Sequence, residues 1–244
     1  MHLESHVGHV GGNLSALDAL LCLHHQVMGP DDRFVLSKGH AAGALYVTLW
    51  TTGVLDDAQL HTFHRDGTRL AGHPMAGWIP AIPVSTGSLG HGLSLAVGMA
   101  MARRLQGRPG AIYCLTSDGE WQEGAMWEAL ILARHQRVNH LTVLVDVNGL
   151  QGFGTTDEVA SLADLAPRMT GFGVGVVTVD GHDPEAIRQA VVRQDRDPDG
   201  PRVVLLRTIK GKGVSRFENR LESHYLPLSP EDYAQALAVV GEEP

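Results

Sequence analysis

The stretch that decides the fold is Ala111 to Thr155, AIYCLTSDGEWQEGAMWEALILARHQRVNHLTVLVDVNGLQGFGT. A short apolar run, Ala111 to Leu115, stops at Ser117-Asp118-Gly119, an acid and a glycine at a turn. From Gly124 to His135 the apolar residues Met126, Leu130 and Ala133 recur at spacings of three and four, the period of one helical face. A second apolar run, Leu141 to Val145, ends at Asp146-Val147-Asn148-Gly149. The order is strand, helix, strand, and a helical crossover is what parallel neighbours need. Both turns then lie at the carboxyl ends of their strands, where open α/β sheets bind ligands.

Asp118 and the amide oxygen of Asn148, 30 residues apart, would face one space. Both are hard oxygen ligands of the kind magnesium takes while keeping positions open for phosphate oxygens. Gly119 lets the backbone approach a phosphate, and the following helix points its first N–H groups the same way. Asp-Gly or Asn-Gly alone is an ordinary turn. The two together at matching strand ends favour a metal–diphosphate site.

The segment resembles the thiamine diphosphate motif, Gly-Asp-Gly followed at a distance by Asn, and SDGEWQEGAMWEA…VDVNGLQ is similar to its transketolase form. The resemblance implies that Asp118, Asn148 and the backbone carbonyl of Leu150 bind magnesium, with calcium or manganese able to stand in its place. It places Gly119 at the cofactor and counts Glu123 with the cofactor-site residues as an acid at the family's subunit interface. Ser117 stands where the family has Gly, which is tolerable if φ there is negative.

Four further motifs frame this one. In VGHVGGNLS (Val7 to Ser15) the glycines exclude a helix interior, and Asn13 or Ser15 could cap a helix over Ala16 to Val27. The stretch is similar to the family's Ser-Gly-His-Pro-Gly-Gly, with Val10 for Pro, which implies that His9 contacts sugar hydroxyls. Met1-His2-Leu3-Glu4 then reads as the stub of a longer natural N-terminus. In DDRFVLSKGHAAGALY a strand, Phe34 to Leu36, enters a polar turn and then a helix of small residues. The resemblance is almost letter for letter, and implies that His40 serves the diphosphate and the reaction centre, with Lys38 nearby.

By itself FHRDGTRLAGHP (Phe63 to Pro74) is a loop; the resemblance gives His73 the donor sugar's hydroxyl. The glycine-rich STGSLGHGLSLAV (Ser85 to Val97) runs into a helix but lacks dinucleotide-binding spacing. In the family it lies on the cofactor's rings, with Gly87 offering a backbone contact and Leu89 an apolar wall. His91 replaces the usual Gln. Beyond Thr155 the chain reads as an acidic surface connection (Thr156 to Leu165), a strand (Val174 to Val179) and a capping turn, Asp180 to Asp183. A helix (Glu185 to Gln194), a last strand (Val203 to Thr208) and a terminal helix (Pro230 to Val239) follow. Lys210-Gly211-Lys212-Gly213 is a basic turn that is either solvated or turned to phosphate. The resemblance places Lys210 at the cofactor and makes His224, in Ser223-His224-Tyr225, the equivalent of the histidine in the family's Trp-His-Gly.

Composition bounds the rest. The 244 residues suit one large α/β domain or two small ones, and 43% apolar content supports a core. A net charge of −8 with no Lys/Arg run argues against nucleic acid and anionic membranes. Cys22 and Cys114, far apart in apolar surroundings, read as buried free thiols, and with no signal peptide or long apolar run the default location is the cytoplasm. Many of the 14 histidines sit beside glycine, which suits a backbone that approaches a ligand while an imidazole points at it. None has zinc-ligand spacing.

The resemblance covers nearly the whole chain, and every motif belongs to one half of the enzyme. It implies a single domain over residues 1–244: a parallel-sheet, three-layer α/β/α fold of the diphosphate-binding, PP-type half. The pyrimidine-side and C-terminal domains, with the glutamate that activates the aminopyrimidine, are expected on a partner chain, most readily as an α2β2 assembly. The implied activity is transfer of a two-carbon ketol unit from a ketose or ketose phosphate to an aldehyde. Alternatives are half of a deoxyxylulose-phosphate synthase or of a keto-acid dehydrogenase component, or a silent partner chain. STGSLGHG and SKGHAA oppose both related thiamine enzymes, and the presence of Asp118, Asn148, His9, His40 and His73 opposes the silent partner.

Overall fold

The computed structural model describes residues 1–162, 164–193 and 197–241. Five strands form one parallel sheet: β1 (Arg33–Leu36), β2 (Ile112–Ser117), β3 (Leu141–Val147), β6 (Gly175–Asp180) and β7 (Arg202–Arg207). Their order is β1-β2-β3-β7-β6. A two-stranded hairpin, β4 (Leu150–Gln151) and β5 (Gly154–Thr155), stands on the ligand-facing edge just beyond β3. Register brings the strand ends level: Leu36 pairs with Leu115, Ser117 with Asp146, and Asp146 with Leu206.

Alternation along the strands splits the apolar side chains between two cores. Leu36, Leu115, Leu144 and Leu206 face one layer with residues of the helices Val10–Cys22, Ala42–Thr51 and Pro184–Val192. Val35, Cys114, Val143 and Leu205 face the other, with the helices Gly92–Leu105 and Gly124–His135. Strands apolar on both faces are what a covered parallel sheet requires. The expected three layers are present. Cys22 and Cys114 are buried and free, one in each core.

The strand–helix–strand reading of Ala111 to Thr155 holds, the helix spanning Gly124–His135 as expected, with a single 3-10 turn, Gly119–Gln122, ahead of it. Ser117 is not among the described residues with positive φ, so it tolerates the glycine position. Strand ends shift by one or two residues, and the first long helix differs more. The helix expected from Ala16 begins at Val10, and glycines 11 and 12 form its first turn. Packing overrides propensity there: a Cβ on Gly11 would lie 2.2 Å from Ser223 Oγ. Asn13 and Ser15 therefore lie inside the helix. Asn13 still caps, but another helix: its Oδ1 accepts from Ala44 N at 2.6 Å, in the first turn of Ala42–Thr51. The stretch read as a surface connection holds a short helix, Thr156–Ala160, closed by a Thr155/Glu158 capping box. Asp183 caps Pro184–Val192 as expected, and Gln194, the expected end of that helix, lies outside the described residues.

Candidate active site

The carboxyl ends of β1, β2, β3 and β7 deliver Lys38, Asp118, Asn148 and Lys210 to one edge of the sheet. Asp118 is buried. Its Oδ1 accepts from its own turn, Gly119 N at 2.8 Å, and its Oδ2 from Gly149 N at 2.6 Å. Burial and then the charge of Asp146 raise its carboxyl to about 6 against these two amides. Among the described residues no cation contacts it.

Asp146 is one of two buried acids that sequence reasoning missed; Glu120 is the other. Fully buried at the end of β3, Asp146 accepts from Ser15 Oγ at 2.6 Å and from Thr208 Oγ1, and it is ion-paired with Lys38. Burial alone would raise its carboxyl; Lys38 and the hydroxyls outweigh that and hold it below the usual range. Lys38 thus stands behind the site, its ammonium taken by Asp146 and by the Gly12 carbonyl at 3.0 Å. Asp146 also accepts from Asn148 Nδ2 at 3.2 Å. That contact turns the Asn148 oxygen away from Asp146, where it accepts from Leu150 N at 3.1 Å and keeps a second lone pair.

A cavity of about 360 Å³ opens over these strand ends, and its lining includes Asp118, Gly119, Asn148 and Leu150 together with His9, His40, Leu89, Lys210 and His224. The histidines converge from distant parts of the chain. Ring centroids of His9 and His40 are 5.3 Å apart, of His9 and His224 5.2 Å, of His40 and His224 5.4 Å, and of His9 and His73 6.3 Å. Burial is the main cause that lowers all four, followed by His73 for His9, Lys38 for His40, His64 for His73 and Lys210 for His224, which falls to about 3. At neutral pH they are uncharged, each with one donor and one acceptor nitrogen. Lys210 Nζ lies 2.9 Å from His224 Nδ1 and 3.1 Å from Leu150 O. An ammonium only donates, so His224 accepts at Nδ1 and carries its hydrogen on Nε2. Burial, then repulsion from Lys38, lowers Lys210 to about 8. His9 holds φ +68° at the start of its helix, and its Nδ1 is buried without a hydrogen-bond partner among the described residues.

Three predicted residues besides Lys38 do not line this cavity: Gly87, His73 and Glu123. Gly87, at φ +141°, lies under His73, whose Cδ2 would be 3.2 Å from a Cβ there. His73 is exposed at the rim. Glu123 is exposed, its Cβ beneath Gly90. Its neighbour Glu120 is fully buried, accepting from Ser37 Oγ at 2.5 Å, Gly90 N at 3.1 Å and Ser117 N at 2.9 Å. Burial raises its carboxyl above the usual value in spite of these bonds.

The site fits a divalent cation carrying an anion. It has one buried carboxylate without a cation, neutral oxygens from Asn148 and Leu150 beside it, and a cavity bounded by Gly119 and neutral imidazoles. Residues 6–244 match the transketolase thiamine diphosphate binding domain. The chain belongs to the transketolase family. It is 40% identical to a 6-deoxy-6-sulfo-D-fructose transketolase subunit of Clostridium sp. (strain MSTE9), over 97% of this chain and 90% of that protein. It is 38% identical to an apulose-4-phosphate transketolase subunit of Phocaeicola vulgatus, over 98% and 88%. Among solved structures, a Pichia stipitis transketolase in complex with sedoheptulose 7-phosphate superposes with a TM-score of 0.89 at 28% identity. That match covers 98% of this chain and 38% of the yeast chain. A Campylobacter jejuni transketolase gives 0.87 at 27% identity, covering 98% and 40%. This transketolase chain therefore spans about two fifths of the solved enzymes it matches, and most of the length of the two bacterial subunits. Among the described residues no helix is long and apolar enough to cross a membrane.

Proposed function

We propose that this chain is the diphosphate-side subunit of a split transketolase, active with a second polypeptide that carries the pyrimidine-side half. The observation that carries the reading is the convergence of His9, His40 and His224 on the cavity whose floor is Asp118 and Asn148. Asp118 Oδ, the Asn148 amide oxygen and the Leu150 carbonyl would hold magnesium, or calcium or manganese in its place, and through it a diphosphate. Gly119 admits that diphosphate closely, and Lys210 and His224 supply donors beside it. Leu89, with the backbone of Gly87, walls the rings. Glu123 sits on the exposed side, available to the partner. Bound thiamine diphosphate supplies the electron sink for breaking and remaking the carbon–carbon bond in two-carbon ketol transfer.

The chain's own share is positioning and proton movement. His9 and His40 are neutral, so each could accept a proton at one nitrogen while donating at the other, and His224, its Nδ1 held by Lys210, could donate from Nε2. His73, at the rim beside His9, is placed to hold a sugar hydroxyl. Names of the two bacterial subunits quoted above support a partner, and an α2β2 assembly closes two such sites by symmetry.

The experiment is reconstitution. The isolated chain is assayed for ketol transfer from a ketose phosphate to an aldehyde, then mixed with the pyrimidine-side polypeptide encoded beside it. The proposal predicts no turnover alone and turnover on mixing, dependent on added magnesium. Full activity from the 244 residues alone contradicts it.

A further inference from the structure

Glu120 is fully buried two residues after Asp118, and its carboxylate meets only donors. Oε1 takes the Ser37 hydroxyl at 2.5 Å and the Gly90 amide at 3.1 Å; Oε2 takes the Ser117 amide at 2.9 Å and the Ser117 hydroxyl at 3.3 Å. A carboxylate is the one side chain that accepts at every position, so the socket is built for the ionised acid. The three donor residues belong to three segments: the turn after β1, the 85–91 loop and the last residue of β2.

The 85–91 loop has few other holds. At its start Ala76 N donates to Ser85 Oγ at 2.9 Å and Thr86 N to Pro74 O at 3.1 Å; at its end His91 O accepts from Leu95 N at 3.2 Å, and between them, among the described residues, the backbone is tied to the rest of the chain by Gly90 N to Glu120. The fit around it is close. A Cβ on Gly39 would lie 2.9 Å from Gly87 N, one on Gly90 2.7 Å from Glu123 Cβ, and one on Gly92 2.4 Å from Ser37 Oγ. Close backbone contacts seat the loop, and at its Gly90 end the hydrogen bond to the buried carboxylate is the polar anchor.

We infer that Glu120 is a positioning residue that pins the 85–91 loop, and with it Leu89, over the cofactor cavity. It acts through the loop and touches no substrate or cofactor. The inference deepens the functional reading above and rests on it for the identity of what the loop covers.

The test combines hydrogen–deuterium exchange with cofactor calorimetry on the assembled enzyme, for wild type, Glu120→Gln and Glu120→Ala. Glutamine keeps the shape but turns an NH2 toward donors; alanine leaves the Gly90 amide with no acceptor. Amide exchange over residues 86–92 rises at least tenfold in Glu120→Gln and further in Glu120→Ala, while β2 and β3 keep wild-type protection. Thiamine diphosphate affinity falls at least tenfold in step. A general loss of fold would raise exchange in the strands as well; if Glu120→Ala does so, Glu120→Gln and Ser37→Ala carry the measurement. Unchanged exchange over 86–92, or a loosened loop with wild-type cofactor affinity, overturns the inference. Failure of the wild-type enzyme to bind the cofactor overturns the functional reading instead.

Discussion

Asp118 and Asp146 end adjacent parallel strands, joined by the backbone hydrogen bond from Asp118 N to Asp146 O at 3.0 Å. Both are buried aspartates, and they are solved in opposite ways. Asp146 has its cation built in: Lys38 pairs with it, and Ser15, Thr208 and Asn148 take up its remaining capacity. Asp118 has two backbone amides and, among the described residues, no cation, and its carboxyl rises to about 6. A buried charge is tolerable when paired and expensive when alone. On the proposed reading, the difference separates a carboxylate that holds the fold from one that would take a metal ion.

The largest effect expected from this contrast is on folding. Asp146→Ala leaves the Lys38 ammonium buried and unpaired, and breaking a buried pair from one side costs about 3–5 kcal/mol. Chemical denaturation at pH 7 reads it. Replacing both partners, Lys38→Met with Asp146→Leu, should recover much of the loss; an additive double mutant would break the pairing argument.

Much of this site was legible in the chain order. Asp118 and Asn148 announce themselves because strand ends, glycines and ligands are neighbours in sequence. His224 was legible only through resemblance, since its flanking residues differ from the family's, yet its ring joins His9 and His40. Asp146 and Glu120 were illegible for one reason: their partners are remote. Ser15 lies 131 residues from Asp146, and Ser37 lies 83 from Glu120. The start of the Val10–Cys22 helix was misread because glycine's poor helix propensity was weighed without the Ser223 side chain that excludes a Cβ at Gly11.

A second contrast concerns protons. His24 is half-buried against Phe34, outside the lining of the cavity, with a buried Nε2 that has no partner among the described residues, and burial lowers it to about 4. Its folded pKa lies below the unfolded value, so its full stabilising contribution is present above about pH 6.5. It is lost as pH falls toward 4, because only the unfolded chain takes the proton. The size is about 2–3 kcal/mol. Denaturation at pH 7 and 4.5, for wild type and His24→Gln, should show a shallower acid loss in the variant; equal losses would remove His24 from the account.

The smallest effect sits at the rim. His73→Ala should lower kcat/KM by about 1–3 kcal/mol, with donor KM raised and cofactor affinity nearly unmoved. Steady-state kinetics of the assembled enzyme, with calorimetry beside it, separates that outcome from a diphosphate role. Lost cofactor binding with donor KM intact would move His73 to the diphosphate.

The most direct measurement sets the two aspartates side by side. Asp118→Asn and Asp146→Asn are each compared with wild type, by denaturation of the isolated chain and by thiamine diphosphate calorimetry of the assembled enzyme with and without magnesium. The account predicts that Asp118→Asn folds at least as stably as wild type and loses magnesium-dependent binding by a factor of ~100 or more, about 2.7 kcal/mol. It predicts that Asp146→Asn loses stability first. Magnesium-dependent binding retained in Asp118→Asn, or wild-type stability in Asp146→Asn, would contradict it.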